Sequence, residues 1–338
     1  MLRGSKSLIL TSNFSGWRLL KAIIPQTDSI LLPQELLFSP LPANGDGQDF
    51  YRNHKTFLKN HDYHGVFSEL DDELFDPFTC IKSNIDEFKT IELWIDPSLG
   101  SYVASFHFLY TVKDLPHIRS RLKINWLDRT LALMNDEQIL SVQLAAIDTI
   151  ENDFEEASKF WLAYRHDTPE KWFDLRHYKA LCFKHWRIFN FWMLLQLPSK
   201  KTGLRQIEKE ILSLTKHGLK TSHIVGTMLG NNLEPPKYLS DSNLFSAIET
   251  LSTAIKPALT NIYLSHMKAD LRSEDADRAW RLFCTSNPKL TPLGKKLLEE
   301  KTHWRNHNLT NLWWGGTHIS DTNYWTFDPK SEKLEFHR

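Results

Sequence analysis

The sequence predicts an α/β N-terminal domain, an all-α connector and a winged-helix-like α+β C-terminal domain. Three observations carry this reading. The chain opens strand, helix, strand ("SLILTS", "WRLLKAII", "DSILLP"), the unit from which parallel sheets are built. After Met134 the apolar residues recur at a period of about 3.6, the helical period. The last third runs helix, short helix, helix and terminal helix into short alternating strands, the order of a winged-helix domain; a helical bundle ending in a hairpin gives the same string. The boundaries fall at 1–130, 131–200 and 201–338.

Each element has its own local reason. "SLILTS" (Ser7 to Ser12) is a short apolar run, the pattern of a buried strand, and "NFSG" is a turn. In "WRLLKAII", Trp17, Leu20 and Ile24 share one helical face and Pro25 stops the helix. "DSILLP" is a second strand, and "PLPANGDGQDF" is a surface loop by composition. "KTIELWID" forms a third strand ending at Asp96-Pro97, "SYVASFHFLYTV" a helix or a buried apolar segment, and "RSRLKINWL" a fourth strand.

In the connector, "NDEQILSVQLAAIDTIENDFEEASKFWLAY" places Ile139, Val142, Ala146, Ile150, Phe154 and Trp161 at helical spacing, with Asn135 as N-cap. A second long helix is expected over "KWFDLRHYKALCFKHWRIFNFWMLLQL", ending at Pro198. It would bury Tyr178, Cys182, Phe189 and Met193 on one stripe and leave Lys179, Lys184 and Arg187 outside. The same stretch is basic and aromatic enough to stack bases and neutralise phosphates, but its periodicity reads first as core.

In the last third, Leu204, Ile207, Ile211 and Leu214 form a stripe closed by Gly218. "TSHIVGTMLG" is a short helix. "SDSNLFSAIETLSTAI" turns Leu244, Ile248, Leu251 and Ile255 inward and Asn243 and Ser246 outward. Thr291 caps a helix with Pro292 at its first position. "NLWWGGTHISDTNYW" then begins a small antiparallel meander: Gly315-Gly316 makes a sharp turn, and Trp313 or Trp314 and Trp325 are expected to pack on the Leu293 to Leu298 helix.

Composition narrows the function classes. The chain of 338 residues is 41% apolar and 24% charged with formal net charge zero, so nothing global attracts a polyanion or an anionic membrane. Acids concentrate between Asp46 and Asp96 and cations between Lys200 and Lys220, as solvated faces do. The three cysteines, Cys80, Cys182 and Cys284, lie far apart with no Cys-x-x-Cys pair, which fits a reducing cytosol rather than a disulfide framework. No apolar run reaches membrane-spanning length, so a cytoplasmic protein is expected.

Motifs for chemistry are sparse. Ser12, Asn13, Ser15 and Gly16 follow the first strand and could offer N–H groups to an anion at a helix start; an N-cap explains the same residues. There is no Gly-rich phosphate loop, no Gly-x-Ser-x-Gly elbow and no nucleophile with a neighbouring base. His303 and His307 would share a helical face as half a metal site, and His61 and His64 lack Cys partners. No catalytic residue, metal or cofactor is assigned.

Four stretches resemble a bacterial family known as domain of unknown function 1835: "ILTSNFSGWRLLK", "LLPQELLFSPLP", "IELWIDPSLGSYVASFHFL" and "LTPLGKKLLEEKTHWRNHNLTNLWWGGTHISDTNYWTFD". The resemblance implies the same α/β plus winged-helix-like order and no particular reaction. This chain departs from the family where acids are common: Asn13 stands for Asp, Gln34-Glu35 for Arg-Asp, and Ser98 and Ser101 follow the Trp. Asp96 and Glu35 are the acids that stay.

The expected function is that of a non-enzymatic regulatory or binding protein. A ligand or partner site at the N-terminal sheet (Ser12, Asn13, Ser15, Gly16, Glu35, Asp96) would be coupled to the C-terminal interaction module. A small anionic ligand or a protein is the expected partner, with DNA as a further candidate; no membrane is. The alternative is an enzyme acting on a phosphorylated or nucleotide-like substrate at the strand ends, through Asn13, Glu35 and Asp96.

Overall fold

A five-stranded sheet of order β2-β1-β3-β4-β5 organises the N-terminal part of the computed structural model. The structure describes residues 6–33, 36–41, 50, 54–57, 81, 87–142, 146–231, 239–263 and 274–337. β1 (Ser7–Thr11), β2 (Asp28–Leu31), β3 (Thr90–Ile95) and β4 (Leu122–Trp126) run parallel, and β5 (Ile147–Asp148) pairs antiparallel on β4. Both faces are covered, which is why the inner strands are apolar on both sides. α1 (Phe14–Ile23) lies on one face, where Ile9, Leu20, Ile24, Trp94, Leu131 and Ile139 cluster. On the other, α2 (Leu99–Val112) is buried along almost its whole length, and the short α3 (Pro116–Arg119) leads from it toward β4.

The first expected long helix is interrupted. α4 (Asp136–Val142) and α5 (Glu151–Tyr164) are separated by β5. Asn135 does cap the first piece, its Oδ1 accepting from the Gln138 N–H at 2.9 Å. The chain then returns to β4, whose open edge offers backbone partners: Ile147 pairs with Ile124, and the Thr149 N–H and hydroxyl both donate to the Leu122 carbonyl. A sheet edge left unpaired is a cost that the return removes. Ile150, assigned to the buried stripe, ends up 57% exposed.

The second long helix is also broken, into α6 (Glu170–Asp174), a 3₁₀ turn over Leu175–His177, an irregular segment over 178–185, and α7 (Trp186–Leu194). The buried carboxylate of Glu156 on α5 explains the irregular part. It accepts from the Leu181 N–H at 2.8 Å, the Cys182 N–H at 3.0 Å and the Tyr178 hydroxyl at 3.3 Å. These charge-assisted bonds replace the carbonyl partners a helix would have supplied. His185 closes the segment at φ 58° in the left-handed region.

The C-terminal part contains α8 (Gln206–Lys216), α9 (Thr221–Asn231), α10 (Asp241–Thr253), β6 (Leu259–Thr260), α11 (Glu274–Thr285), β7 (Lys289–Leu290) and α12 (Pro292–Leu298). Thr291 caps α12 as expected, accepting from the Gly294 N–H at 3.1 Å, and β6 pairs with β7. Two expected orientations on α10 are corrected: Ile255 lies beyond its end and is 77% exposed, while Asn243 is buried because its Oδ1 accepts from the Ser240 N–H.

The chain ends in two separate hairpins rather than one meander. β8 (Asn311–Trp314) pairs with β9 (Thr317–Ser320), and β10 (Tyr324–Asp328) with β11 (Lys333–His337). Trp314 does not pack as expected. It meets Tyr164 and Trp172 of the connector edge-on, at 5.0 and 6.0 Å, and its indole N–H donates to the Met193 carbonyl at 3.0 Å. Trp313 stacks on His318, and Trp325 lies against Phe336 and donates to Asn323. Gly315, at φ 57°, and Gly316 let the hairpin turn touch the end of α5; an added Cβ would stand 2.3 Å from the Tyr164 carbonyl and 1.9 Å from that of Arg165. The main apolar cluster therefore runs unbroken from Leu8 to Phe327, across both expected boundaries. Among the described residues no helix is long and apolar enough to cross a membrane.

Candidate functional site

The carboxyl ends of β1 and β3 bring Asn13 and Asp96 together. Asn13 caps α1, its Oδ1 accepting from the Gly16 N–H at 2.7 Å, while its Nδ2 donates to Asp96 Oδ2 at 2.5 Å. The other Asp96 oxygen accepts from the Leu131 N–H at 3.2 Å. Asp96 is 1% exposed, and burial pushes its carboxyl up to about 6 against the opposing pull of the Asn13 and Leu131 bonds. Gly16 faces Leu131, not a ligand: a Cβ there would lie 2.6 Å from the leucine side chain. Ser15 is exposed, Ser12 is half-buried, and Glu35 lies outside the described residues. This cluster acts as a joint, tying two strand ends to the loop that seals them, and Asp96 has both oxygens occupied by protein donors.

A neighbouring acid pairs similarly. Glu92, buried within β3, accepts from the Trp94 indole at 2.9 Å and the Asn125 amide at 3.0 Å; burial raises its carboxyl above the ordinary range.

Concave space lies next to these strand ends, and the basic segment between α6 and α7 shapes it. A pocket of about 40 Å³ is formed by Ile95, Pro97, Trp126 and Asp128 at the sheet and by Lys184 and His185 opposite them. The Tyr102 hydroxyl donates to the Lys184 carbonyl at 2.7 Å and pins the segment there. On the segment's other side a cavity of about 820 Å³ opens, again lined by Lys184 and His185. Its walls are apolar: Phe183, Trp186, Phe191 and Leu194 from the connector, and Phe327 from β10. Arg176, Lys179, Lys184 and Arg187 border it, with Glu332 at the tip of the last hairpin as the acid.

Two residues that line this cavity each keep one buried, solvent-inaccessible side-chain atom without a hydrogen-bond partner. Asn190 is 1% exposed; its Nδ2 donates to the Trp172 carbonyl at 3.3 Å and its Oδ1 has no partner. Arg176 donates through one terminal nitrogen to the Phe173 carbonyl, with the guanidinium 3.9 Å above the Phe173 ring, and its Nε has no partner. Such groups are uncommon in folded interiors. The sequence reading placed Lys179, Lys184 and Arg187 outside correctly, but missed the cavity beneath them. The overlooked signal was Asn190, an amide set among Phe189, Phe191 and Trp192.

The remaining candidates are engaged locally. His303 and His307 flank a 3₁₀ turn, Trp304–Asn306, instead of sharing a helix face. His303 accepts from the Arg305 N–H, and His307 bonds to the Thr302 hydroxyl at 2.9 Å. His61, His64 and Cys80 lie outside the described residues. Burial first, then Asp153 and Glu156, push the Cys182 thiol up to about 12, far from a reactive thiolate. Among the described residues no three His, Cys, Asp or Glu side chains gather as a metal site. Of the basic run, Lys200 pairs with Glu335, and Lys201 and Lys209 with Glu300. No protein-family model matches the chain, and no curated protein matches it.

Proposed function

We propose that this protein is a non-enzymatic binding protein that holds a small anionic ligand in the cavity of about 820 Å³ and couples its occupancy to the C-terminal module. One observation carries the reading: the cavity is shared between the basic connector segment and the last hairpin, through Phe327 and Glu332. Cations at the mouth and apolar walls within suit an amphipathic anion. A ligand seated there would touch both parts, which gives it the differential contacts that any coupling requires.

The C-terminal module is read as winged-helix-like, supported by the order α8, α9, α10 and the β6–β7 pair. This order also supports the resemblance to domain of unknown function 1835. A strand-end enzyme is less well supported, because Asp96 is buried and occupied by Asn13 and Leu131.

The test is titration of the full chain with anilinonaphthalene sulfonate, an aromatic anion. Saturable binding is expected, weakened about tenfold by Lys184→Ala with Arg187→Ala, two exposed cations. Amide exchange in the hairpin around Phe327 should slow on binding. Absence of saturable binding, or binding indifferent to the two cations, overturns the proposal. Duplex DNA titrated across a salt series tests the DNA-contacting version, which fails if nothing binds at low salt.

A further inference from the structure

We propose that His303 is a pH-sensitive latch on the last hairpin: neutral, it seats the Tyr324 end of β10, and protonated, it lets that end go. The hairpin is held at two places. Near Phe327 it is tied to the loop before α8: the Phe327 N–H donates to the Pro198 carbonyl at 3.0 Å, and Lys200 pairs with Glu335 at 2.7 Å. At the other end Tyr324 is 2% exposed and its hydroxyl has no hydrogen-bond partner, so that end is seated through its ring. The His303 ring meets it edge-on at 6.0 Å, and the Arg305 guanidinium lies 4.8 Å from its centroid. Arg305 also donates to the Asp321 carbonyl at 2.6 Å, just before the strand.

Both neighbours of the Tyr324 ring depend on one acceptor. His303 caps the turn Trp304–Asn306 by accepting the Arg305 N–H on Nδ1 at 3.3 Å. A proton on Nδ1 sets a donor against a donor and adds positive charge beside Arg305 and His337. The ring has little room to swing aside, because Gly203, at φ 71°, passes so close that an added Cβ would stand 2.6 Å from His303 Cε1 and 2.9 Å from the Tyr324 hydroxyl. The acids that face this cluster already have partners. Glu208 of α8 accepts from the Arg205 guanidinium at 2.7 Å and from the Arg205 N–H at 2.8 Å. Asp321 lies 3.8 Å from Arg305 Nε and accepts from the Thr310 N–H at 3.2 Å. Glu335 holds Lys200 and stands 4.0 Å from His337, whose ring bonds to the Thr326 hydroxyl at 2.8 Å. Burial first, then His337 and Arg305, hold His303 below the ordinary histidine value of 6.5. The unlatched ring therefore takes the proton more readily than the latched one. Acid favours the open hairpin, starting near pH 6.5 and growing as pH falls through the lower folded value.

Hydrogen exchange of the full chain, read by mass spectrometry over β10, β11 and β3, compares wild type with His303→Asn at stepped pH. Asparagine keeps a cap acceptor and does not titrate, and comparison at each pH cancels the intrinsic pH dependence of exchange. The ratio of wild-type to variant exchange in β10 and β11 should rise by up to about tenfold per pH unit below the ordinary histidine value, with β3 unchanged. His337→Gln should move the onset upward in pH, because one of the groups that keeps His303 neutral is gone. A ratio that stays level from about pH 7.5 to about pH 5 overturns the proposal. So does an equal rise in β10 and β3, which would make His303 a determinant of whole-fold stability and no latch. Should the asparagine variant fail to fold, wild type decides alone: protection of β10 relative to β3 should fall over the same window, and a constant ratio overturns the proposal.

Discussion

Asn13 and Asp96, 83 positions apart in the chain, hold each other at the carboxyl ends of β1 and β3: the Asn13 amide donates to Asp96 Oδ2 while its own oxygen caps α1. The bond makes one small polar joint out of a helix start, two strand ends and the loop at Leu131. It also fixes what Asp96 can do, since a carboxylate receiving donors on both oxygens is structural before it is chemical.

That joint predicts a pH signature. The Asp96 carboxyl rises from 3.8 unfolded to about 6 folded. The folded state therefore binds the proton more tightly, and the contribution of this group to stability falls as pH rises from about 4 to about 6 and is flat above. Asp96→Asn removes the titration. The stability difference, wild type minus variant, should fall by roughly 3 kcal/mol over that window, measured by denaturant unfolding at stepped pH. A difference that stays level across the window would show that Asp96 is not held in this environment.

Trp314 should matter far more than Trp325. Trp314 is fully buried between Tyr164 and Trp172 with its indole N–H on Met193. Trp314→Ala should cost about 3–5 kcal/mol, whereas Trp325→Ala, whose partners Phe336 and Asn323 lie in or beside its own hairpin, should cost less than half of that. Melting temperatures of the two variants decide it; equal losses would contradict the packing described.

Gly316→Ala should destabilise strongly, by an amount of about 3 kcal/mol or more, because its Cβ would stand 1.9 Å from the Arg165 carbonyl and neither backbone can yield freely. Gly100→Ala is the matched control. It lies in the first turn of α2 with nothing within 4 Å of the added Cβ, so it should be neutral or stabilise by a few tenths of a kcal/mol. Unfolding curves that do not separate the two variants would refute the close approach at α5.

Glu156 should hold the shape of the basic segment and, after burial and Asp153, add to the low reactivity of Cys182. With the thiol pushed up to about 12, alkylation of Cys182 by iodoacetamide near neutral pH should run about a thousandfold slower than for a free thiol. Glu156→Gln removes the charge and one strong acceptor for the Leu181 and Cys182 N–H groups, so alkylation should quicken measurably while burial and Asp153 still hold the thiol up. Peptide mass spectrometry after timed labelling reads the rate at this cysteine; an unchanged rate would argue against the anchoring role.

Local chemistry determined much of this protein. The apolar run at Leu8 to Leu10, the caps at Asn13, Asn135 and Thr291, the left-handed Gly218 and the turn at Gly315 all follow from what those residues permit their own neighbours. Four strands and most helices were legible for that reason. The tertiary structure decided what local pattern could not encode. The helical period continues through Ile150 and through 178–185, yet the chain leaves the helix at both places, because the open edge of β4 and the Glu156 carboxylate offer better partners from far along the sequence. Periodicity records which face is apolar; it does not record which distant acceptor will be waiting. The cavity beside Asn190, walled by residues as far apart as Arg176 and Glu332, comes into being only once those long-range bonds have bent the connector and folded the last hairpin against it.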